Sequence, residues 1–180
     1  KILTGYLMPD AGDAWINAQN VLESTFQIRS NIGYLPEHNP LYPEMFVREY
    51  LEYVSGLYHL KQPNTRIGEV IELTGLGKEQ HKKIRALSKG YRQRVGLAQA
   101  IIHDPDVLIL DEPTSGLDPN QIAEIRNLIS RLGKKKTVLL STHLMQEVEA
   151  ICDRILIINN GEIFADDTVE NIHSKSTAGH

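Results

Sequence analysis

The chain has 180 residues, with 41% hydrophobic and 23% charged side chains and a formal net charge of −4. This composition is ordinary for a soluble globular domain with its own core, and the acidic balance excludes a generally basic surface for nucleic acid. The single cysteine, Cys152, excludes an internal disulfide and fits a reducing compartment. No apolar run is long enough to span a bilayer and no signal-peptide pattern is present, so we expect any membrane part to come from another polypeptide.

The first part of the chain predicts a helix end and two strands. Residues 1–7 resemble the tail of a helix, and residues 13–17 predict a short strand between turn-forming residues. A second strand is predicted over residues 31–36, because this run is largely apolar and ends in a proline. Glu37 follows at the start of a loop rich in proline and asparagine.

Helical patterns fill the middle of the chain. Apolar side chains recur at helical spacing from Val47 to Tyr58, and a second helix is predicted from Pro63 to just before Gly75. A third helix begins at Ser88, a typical N-cap residue, and the free backbone N–H groups beyond it suit an anion. Taken alone, this last pattern fits an ordinary capped helix equally well.

Residues 107–110 are four apolar residues in a row, too few for a helix, and they predict a strand buried on both faces. Asp111 and Glu112 follow where this strand emerges. Open α/β sheets bind ligands at the carboxyl ends of their strands, and adjacent strand side chains point to opposite faces. We therefore predict two roles, with Asp111 holding magnesium and Glu112 activating a water. An acidic turn after a structural strand is the alternative for this stretch alone.

The remaining chain predicts one more helix, a strand and a hairpin. Asp118 is a good N-cap for the helix that follows it. Residues 137–141 predict a second buried strand, and His143 lies just beyond its carboxyl end. A hairpin is predicted over residues 154–165 through an Asn-Asn-Gly turn, and residues 174–180 are expected to fray.

Four short motifs occur in one order, and this order is far more specific than any single motif. The motifs are Leu87-Ser88-Lys89-Gly90-Tyr91, Val107-Leu108-Ile109-Leu110-Asp111-Glu112-Pro113, Ser115-Gly116-Leu117-Asp118 and Ser141-Thr142-His143. Their order resembles that of the ATP-binding cassette (ABC) family, in which such motifs are the signature motif, Walker B, the D-loop and the switch histidine. The resemblance covers the whole chain and implies an α/β fold of the P-loop NTPase type, a mostly parallel sheet with an inserted helical subdomain.

The resemblance also implies ATP and Mg²⁺ as cofactors and assigns roles to these residues. Asp111 would hold Mg²⁺, Glu112 would orient and deprotonate the attacking water, and His143 would hydrogen-bond the γ-phosphate. Glu37 occupies the Q-loop position, which touches the metal and the water in this family. Two cassettes of the family pair head to tail, and each closes the ATP site of the other. The nucleotide-binding residues implied in this way are Ser88, Lys89, Gly90, Tyr91, Glu37 and, across the dimer seam, Asp118.

Three residues depart from the usual family pattern. Glu37 replaces a glutamine, and Lys89 and Tyr91 replace a glycine and a glutamine of the signature motif. Glutamate is also an oxygen ligand, so contact with a metal survives, but its added negative charge needs the metal nearby. Ser88 and Gly90, which the resemblance expects to meet a γ-phosphate, are retained.

The largest departure is the absence of the phosphate-binding pattern Gly-x-x-x-x-Gly-Lys-Ser/Thr, whose backbone N–H groups and lysine hold the phosphates. Neither Gly77-Lys78 nor Gly133-Lys134 fits this pattern. The family order would place the motif just before Lys1. We therefore expect a cassette cut just after its P-loop, without the P-loop strand and the N-terminal antiparallel strands, and inactive by itself.

Residues 1–180 are accordingly interpreted as a partial nucleotide-binding domain. Residues 46–104 form the inserted helical signature subdomain, and residues 1–45 and 105–180 form the α/β core. The segment around Leu41, Tyr42, Met45 and Phe46 is the candidate contact with a membrane partner.

The resemblance implies the ATP-hydrolysing subunit of a transporter, within a bacterial exporter group that includes gliding-motility and multidrug-type ATPases. Its partners would be a second ATP-binding subunit and integral membrane permease subunits, with no nucleic acid. Its place would be cytoplasmic, peripheral on the inner face of the plasma membrane. Two alternatives stay open: a non-transport ABC ATPase acting on ribosomes or DNA, and a non-catalytic docking module.

Overall fold

The computed structural model describes residues 1–23 and 25–177, and the chain divides into two compact units, residues 1–141 and 142–180. The strands are β1 (Trp15–Ile16), β2 (Gln19–Asn20), β3 (Ile32–Leu35), β4 (Val107–Asp111), β5 (Thr137–Ser141), β6 (Arg154–Asn159) and β7 (Glu162–Thr168). The helices are α1 (Thr25–Ser30), α2 (Val47–Leu57), α3 (Pro63–Leu73), α4 (Lys89–Ile101), α5 (Pro119–Gly133), α6 (Met145–Ile151) and α7 (Val169–Thr177), and a 3₁₀ turn spans Ile84–Ala86.

A parallel sheet with the order β3-β4-β5 organises the first unit. The middle strand, β4, is the predicted buried strand, and Leu108 and Leu110 are both fully buried. Each parallel connection contains at least one helix, as parallel strands require. The predicted α/β fold with a parallel sheet is confirmed.

Strand β5 corrects one prediction. Its apolar sequence predicts burial on both faces, but its residues alternate between exposed and half-buried, and Leu139 is 42% exposed. Among the described residues β5 pairs only with β4, which leaves its other side at the edge of this sheet. Composition predicts the strand, whereas burial depends on what lies against it.

Helices α2, α3 and α4 lie between β3 and β4 in the chain and use the predicted apolar faces. Tyr50, Leu51 and Val54 are buried on α2, and α3 buries Val70 among others. Helix α4 packs directly on β3 at Gly33, where an added Cβ would lie 2.1 Å from a backbone oxygen of α4. The separation of residues 46–104 from the α/β core as a subdomain stays a prediction.

The N-terminal residues differ from the prediction in two ways. Residues 1–7 form a turn and no helix, although the bonds from Tyr6 N–H to the Lys1 carbonyl and from Gly5 N–H to the Ile2 carbonyl are the pattern that ends many helices. The predicted strand at 13–17 is shorter, and it pairs with β2 in a tight hairpin. Asn17 and Ala18 connect the two with positive φ angles of 49° and 60°, as a type I′ turn requires.

The second unit consists of α6, the antiparallel β6-β7 hairpin and α7. The predicted Asn-Asn-Gly turn is confirmed, with positive φ at Asn160 and Gly161. Of the tail expected to fray, residues 174–177 belong to α7 and residues 178–180 lie outside the described residues. No helix in the described part of either unit combines the length and apolar character needed to cross a bilayer.

Candidate functional site

The carboxyl ends of β3, β4 and β5 lie at one edge of the parallel sheet. The register places Leu35 opposite Leu110 and Asp111 opposite Ser141. Glu37 follows β3 by two residues, and Glu112 directly follows β4. The sheet therefore brings the predicted acidic residues of the first unit to the edge where α/β proteins bind ligands.

Asp111 and Glu112 are both held by Ser141. The hydroxyl of Ser141 donates a hydrogen bond to Oδ1 of Asp111 over 2.5 Å. The backbone N–H of Glu112 donates to the Ser141 carbonyl over 3.1 Å and points also at its hydroxyl oxygen, 3.3 Å away. The end of β5 thus fixes both acidic positions at the end of β4.

Glu112 has an unusual backbone conformation, with φ of 47°. This left-handed conformation costs a residue with a Cβ about 1–2 kcal/mol and is found more often at functional sites. Both backbone groups of Glu112 are engaged, because its carbonyl accepts from Ser115 N–H over 3.1 Å. The strained turn redirects the chain straight after the strand, and the following Thr114 is buried.

Ser88 is the N-cap of helix α4, as predicted. The side chain of Ser88 accepts from Tyr91 N–H over 3.4 Å, which confirms the N-cap. Lys89 occupies the first helical position, and Arg94 lies over the ring of Tyr91 with its guanidinium carbon 5.8 Å from the ring centroid. The helix start that is predicted as the signature motif is therefore a capped helix N-terminus, at which Ser88 and Lys89 are exposed and Gly90 is buried.

The start of α4 interlocks with the segment that follows β4. A Cβ on Gly90 would lie 2.6 Å from Oε1 of Gln121, and one on Gly116 would lie 2.2 Å from Nζ of Lys89. Asp118 caps α5, accepting from Gln121 N–H over 3.0 Å. The predicted signature motif and D-loop of one chain are thus neighbours, with Lys89 over Gly116 of the D-loop and Gln121, from the first turn of α5, over Gly90.

His143 belongs to the second unit, in the turn that leads into α6. The hydroxyl of Thr142 donates to Oε2 of Glu147 over 3.0 Å and accepts from Leu144 N–H over 3.1 Å. Glu147 is only 1% exposed. The turn that carries His143 is therefore anchored on both sides of the histidine, and the role of His143 with the sheet-edge acids stays a prediction.

Glu37 lies in the exposed loop after β3, where its side chain is 53% exposed and 4.0 Å from Nδ1 of His38. The same loop returns to α4 through Asn39, which donates to the Arg92 carbonyl over 3.3 Å. Asn39 fits there because position 96 is a glycine. A Cβ added at this position would collide with the amide of Asn39. Metal contact by Glu37 stays a prediction.

The donor atoms at the sheet edge suit Mg²⁺. Carboxylates and a hydroxyl are hard oxygen donors, which magnesium prefers, and it is usually bound by one or two carboxylates together with waters and substrate phosphates. No cluster of three or more His, Cys, Asp or Glu side chains able to hold a metal occurs within residues 1–23 and 25–177. Metal binding by Asp111 stays a prediction.

Two contacts of this region were not predicted as site features: the bridge from Ser141 to both acids, and the position of Gln121 over Gly90. Ser141 is part of a predicted motif, but its pairing with Asp111 depends on the strand register. The sequence offers one signal for this pairing: Asp111 and Ser141 each stand at the end of a predicted strand. Neighbouring parallel strands that end together bring their last residues side by side.

The parallel sheet, the acid pair at its edge and the capped helix before it define the class, an α/β domain with the P-loop NTPase fold. A profile of the family described as "ABC transporter" matches residues 1–115. The chain belongs to this family.

Individual relatives agree with this assignment. The chain is 39% identical over 165 residues to the uncharacterized ABC transporter ATP-binding protein YxlF of Bacillus subtilis, covering 91% of this chain and 54% of that protein. It is 34% identical to the daunorubicin resistance ATP-binding protein DrrA3 of Streptomyces coeruleorubidus, covering 98% of this chain and 57% of that protein. A solved structure titled as an ATP-binding subunit of an ABC transporter superposes with a TM-score of 0.83 at 28% identity, over 97% of this chain and 74% of that one. The chain spans about half the length of the curated relatives it matches.

Proposed function

We propose that the whole protein containing this chain binds and hydrolyses ATP as the energising subunit of an ABC transporter. The observation that supports this most is the acid pair at the end of β4, fixed at the sheet edge by the last residue of β5. Membership of the ABC transporter family and relatives whose names include "ATP-binding protein" agree with it.

In this proposal the residues of the first unit divide the work of phosphoryl transfer, which is mostly positioning and charge neutralisation. Asp111 would hold Mg²⁺, and a bound ion would supply positive charge that neutralises the phosphates. Glu112 lies one residue further along and accepts a proton from the attacking water. Glu37, from the neighbouring strand end, contributes a further oxygen at the same edge.

The remaining proposed contacts involve a second copy of the domain and the second unit. Ser88 and Gly90 lie at the N-terminus of α4, where Ser88 is exposed and Gly90 is buried, and a helix N-terminus is a favourable place for the γ-phosphate bound by a partner subunit. Lys89 and Tyr91 extend the same surface, and Asp118 adds a contact across the seam. For His143 the proposed role is the one implied by the family, a hydrogen bond to the γ-phosphate.

The membrane partner in this proposal is a separate permease, reached through the surface before α2. Tyr42 and Phe46 are 49% and 44% exposed, and exposed aromatic surface of this kind often marks a contact with another protein. Tyr42 packs edge-on against Tyr50 and Tyr53, with ring centroids 5.9 and 5.6 Å away, so it is fixed on the helix surface. We propose export as the direction, in keeping with the resistance named for the Streptomyces relative, and a position on the cytoplasmic face of the membrane.

The test is steady-state ATP hydrolysis by the full-length protein and its Glu112→Gln variant. Gln keeps the shape of the side chain but cannot accept the proton, so kcat should fall by at least about 10²-fold, the lower end for a positioned general base. Glu162→Gln on β7 removes the same charge from an exposed hairpin and should leave kcat unchanged. An equal, small effect of both substitutions would overturn the role of Glu112.

The 180 residues contain no Gly-x-x-x-x-Gly-Lys-Ser/Thr sequence. We propose that these residues by themselves neither bind ATP tightly nor hydrolyse it, because no lysine and backbone nest of that pattern holds the phosphates. Hydrolysis by the purified 180-residue chain that Glu112→Gln abolishes would contradict this.

A further inference from the structure

We propose that Ser141 is a positioning residue that sets both the carboxylate of Asp111 and the backbone turn at Glu112. The inference rests on the proposed function and extends it, because Ser141 belongs to neither the metal ligands nor the bases assigned above. The distances that carry it are the 2.5 Å from the Ser141 hydroxyl to Asp111 and the 3.1 and 3.3 Å from Glu112 N–H to the Ser141 carbonyl and hydroxyl oxygens.

The hydrogen-bonding capacity of a serine hydroxyl accounts for the double contact. A hydroxyl has one proton to donate and two lone pairs to accept with. An ionised carboxylate can only accept and a backbone N–H can only donate, so the directions are fixed. The Ser141 proton points to Oδ1 of Asp111, and a lone pair of the same oxygen faces the N–H of Glu112. One side chain thus serves both acidic positions.

Each contact has a distinct consequence for the site. Oδ1 of Asp111 accepts from Ser141, so Oδ2 would be the oxygen available to a metal. A bond to a charged acceptor is stronger than one between neutral groups, so it restricts the rotation of the carboxylate. Hydrogen-bonded partners of metal ligands act in this way in general, and their loss typically weakens metal binding or activity about 10- to 100-fold.

At Glu112, the contact stabilises a conformation that its backbone disfavours. The φ of 47° is held from one side by Ser141 and from the other by Ser115 N–H, 3.1 Å from the Glu112 carbonyl. Without the hydroxyl, the Ser141 carbonyl remains as the sole acceptor that this strand offers the N–H. The turn that aims the general base would then open more often.

The decisive comparison is between Ser141→Thr and Ser141→Val in the full-length protein. Threonine and valine have nearly the same shape and both favour strands, and they differ here in the hydroxyl. Thr137→Val, at the other end of β5, is the matched control, because Thr137 is exposed and belongs to the same strand. Melting temperatures of all variants establish that each is folded.

Two readouts do not depend on turnover. Hydrogen exchange of the Glu112 amide, in protein without nucleotide, should be about fivefold faster in Ser141→Val, because one lost hydrogen bond of ordinary strength corresponds to a change of that size. The Mn²⁺ affinity of the ATP-bound protein, measured by electron paramagnetic resonance, should weaken about tenfold in the same variant, the lower end for such a partner. Ser141→Thr and Thr137→Val should match the wild type in both.

Hydrolysis gives the third readout, with kcat lower in Ser141→Val and retained in Ser141→Thr. The inference is overturned if the valine and threonine variants behave alike, or if Thr137→Val produces the same changes as Ser141→Val. A wild-type protein that hydrolyses ATP, and loses this with Glu112→Gln, keeps the proposed function even in that case. Failure of the proposed function itself would show as a wild-type protein without activity.

Discussion

The imidazole of His103 lies flat on the ring of Tyr58, with ring centroids 3.9 Å apart and planes 4° from parallel. Nε2 of His103 is 3.0 Å from the carbonyl oxygen of Ile32, an acceptor, so this nitrogen carries the proton. Nδ1 is buried and has no hydrogen-bond partner among the described residues. A second proton on this ring would therefore be placed in a buried, unpaired position.

This geometry predicts a pH dependence of stability. Burial is the main cause that lowers the pKa of His103; the nearby Lys136 and Arg66 lower it further, while the bond to Ile32 and the charge of Asp104 oppose the shift. The unfolded chain protonates near the ordinary value of about 6.5. Between the two pKa values the unfolded state binds more protons, so the free energy of unfolding rises with pH. The contribution of His103 to stability is present above about pH 6.5 and is lost as the pH falls from there toward the lower pKa of the folded state.

Urea unfolding at pH values from 8 to 5 measures this effect. His103→Gln removes the titrating group and keeps an amide that can donate to Ile32. The stability of the variant should change less between pH 7 and pH 5 than that of the wild type. The other histidines are present in both proteins and cancel in the difference. Parallel curves for the two proteins would contradict the prediction.

Gly33 predicts a pair of opposite substitutions. A Cβ at this position would lie 2.1 Å from the backbone oxygen of Ala100 and 2.6 Å from Cδ2 of Leu108. Because backbone cannot move aside cheaply, Gly33→Ala should lower the free energy of unfolding by about 3 kcal/mol, the upper part of the range for overpacking. Gly68→Ala in α3 meets no atom within 4 Å and should raise it by about 0.5–1 kcal/mol. Urea denaturation of both variants measures these changes. Equal changes in the free energy of unfolding would contradict the prediction.

The left-handed backbone of Glu112 predicts a difference between two inactive variants. Glu112→Ala and Glu112→Gly both lose the carboxylate, but only glycine adopts a positive φ without steric cost. The glycine variant should therefore be more stable than the alanine variant by about 1 kcal/mol. Thermal unfolding of the two proteins without nucleotide compares them directly. An alanine variant that is the more stable of the two would show that the turn is unstrained.

Asp118 predicts a separation of capping from activity. Asp118→Asn keeps an oxygen that can accept from Gln121 N–H, so it should unfold like the wild type, whereas Asp118→Ala should lose about 1 kcal/mol. If the proposed contact across the dimer seam needs the negative charge, Asp118→Asn lowers kcat without changing stability. Wild-type activity and stability of Asp118→Asn would limit this residue to its cap.

Local chemistry accounts for what the sequence predicts well. The apolar run before Asp111 and the cap residues Ser88 and Asp118 act over a few neighbouring residues, and all three appear as predicted. The exposure of β5 and the pairing of β1 with β2 were missed for different reasons. Burial of a strand depends on neighbours far away in sequence, and a hairpin through Asn17 and Ala18 lacks the usual glycine signal.

Local sequence patterns do not specify contacts between residues that are far apart in the chain. Ser141 meets Asp111 30 residues earlier, and its role follows from which residues end two adjacent strands. Gln121 approaches Gly90 because two helix starts converge. The types of residue in the sequence do not say which of them lie side by side, whereas the register of the three strands does.

The crossing of α4 and the start of α5 has a mechanical consequence. The ammonium of Lys89 occupies the volume above Gly116, and the amide of Gln121 occupies the volume above Gly90. A rotation of the start of α4 against the start of α5 would therefore have to move these two side chains first.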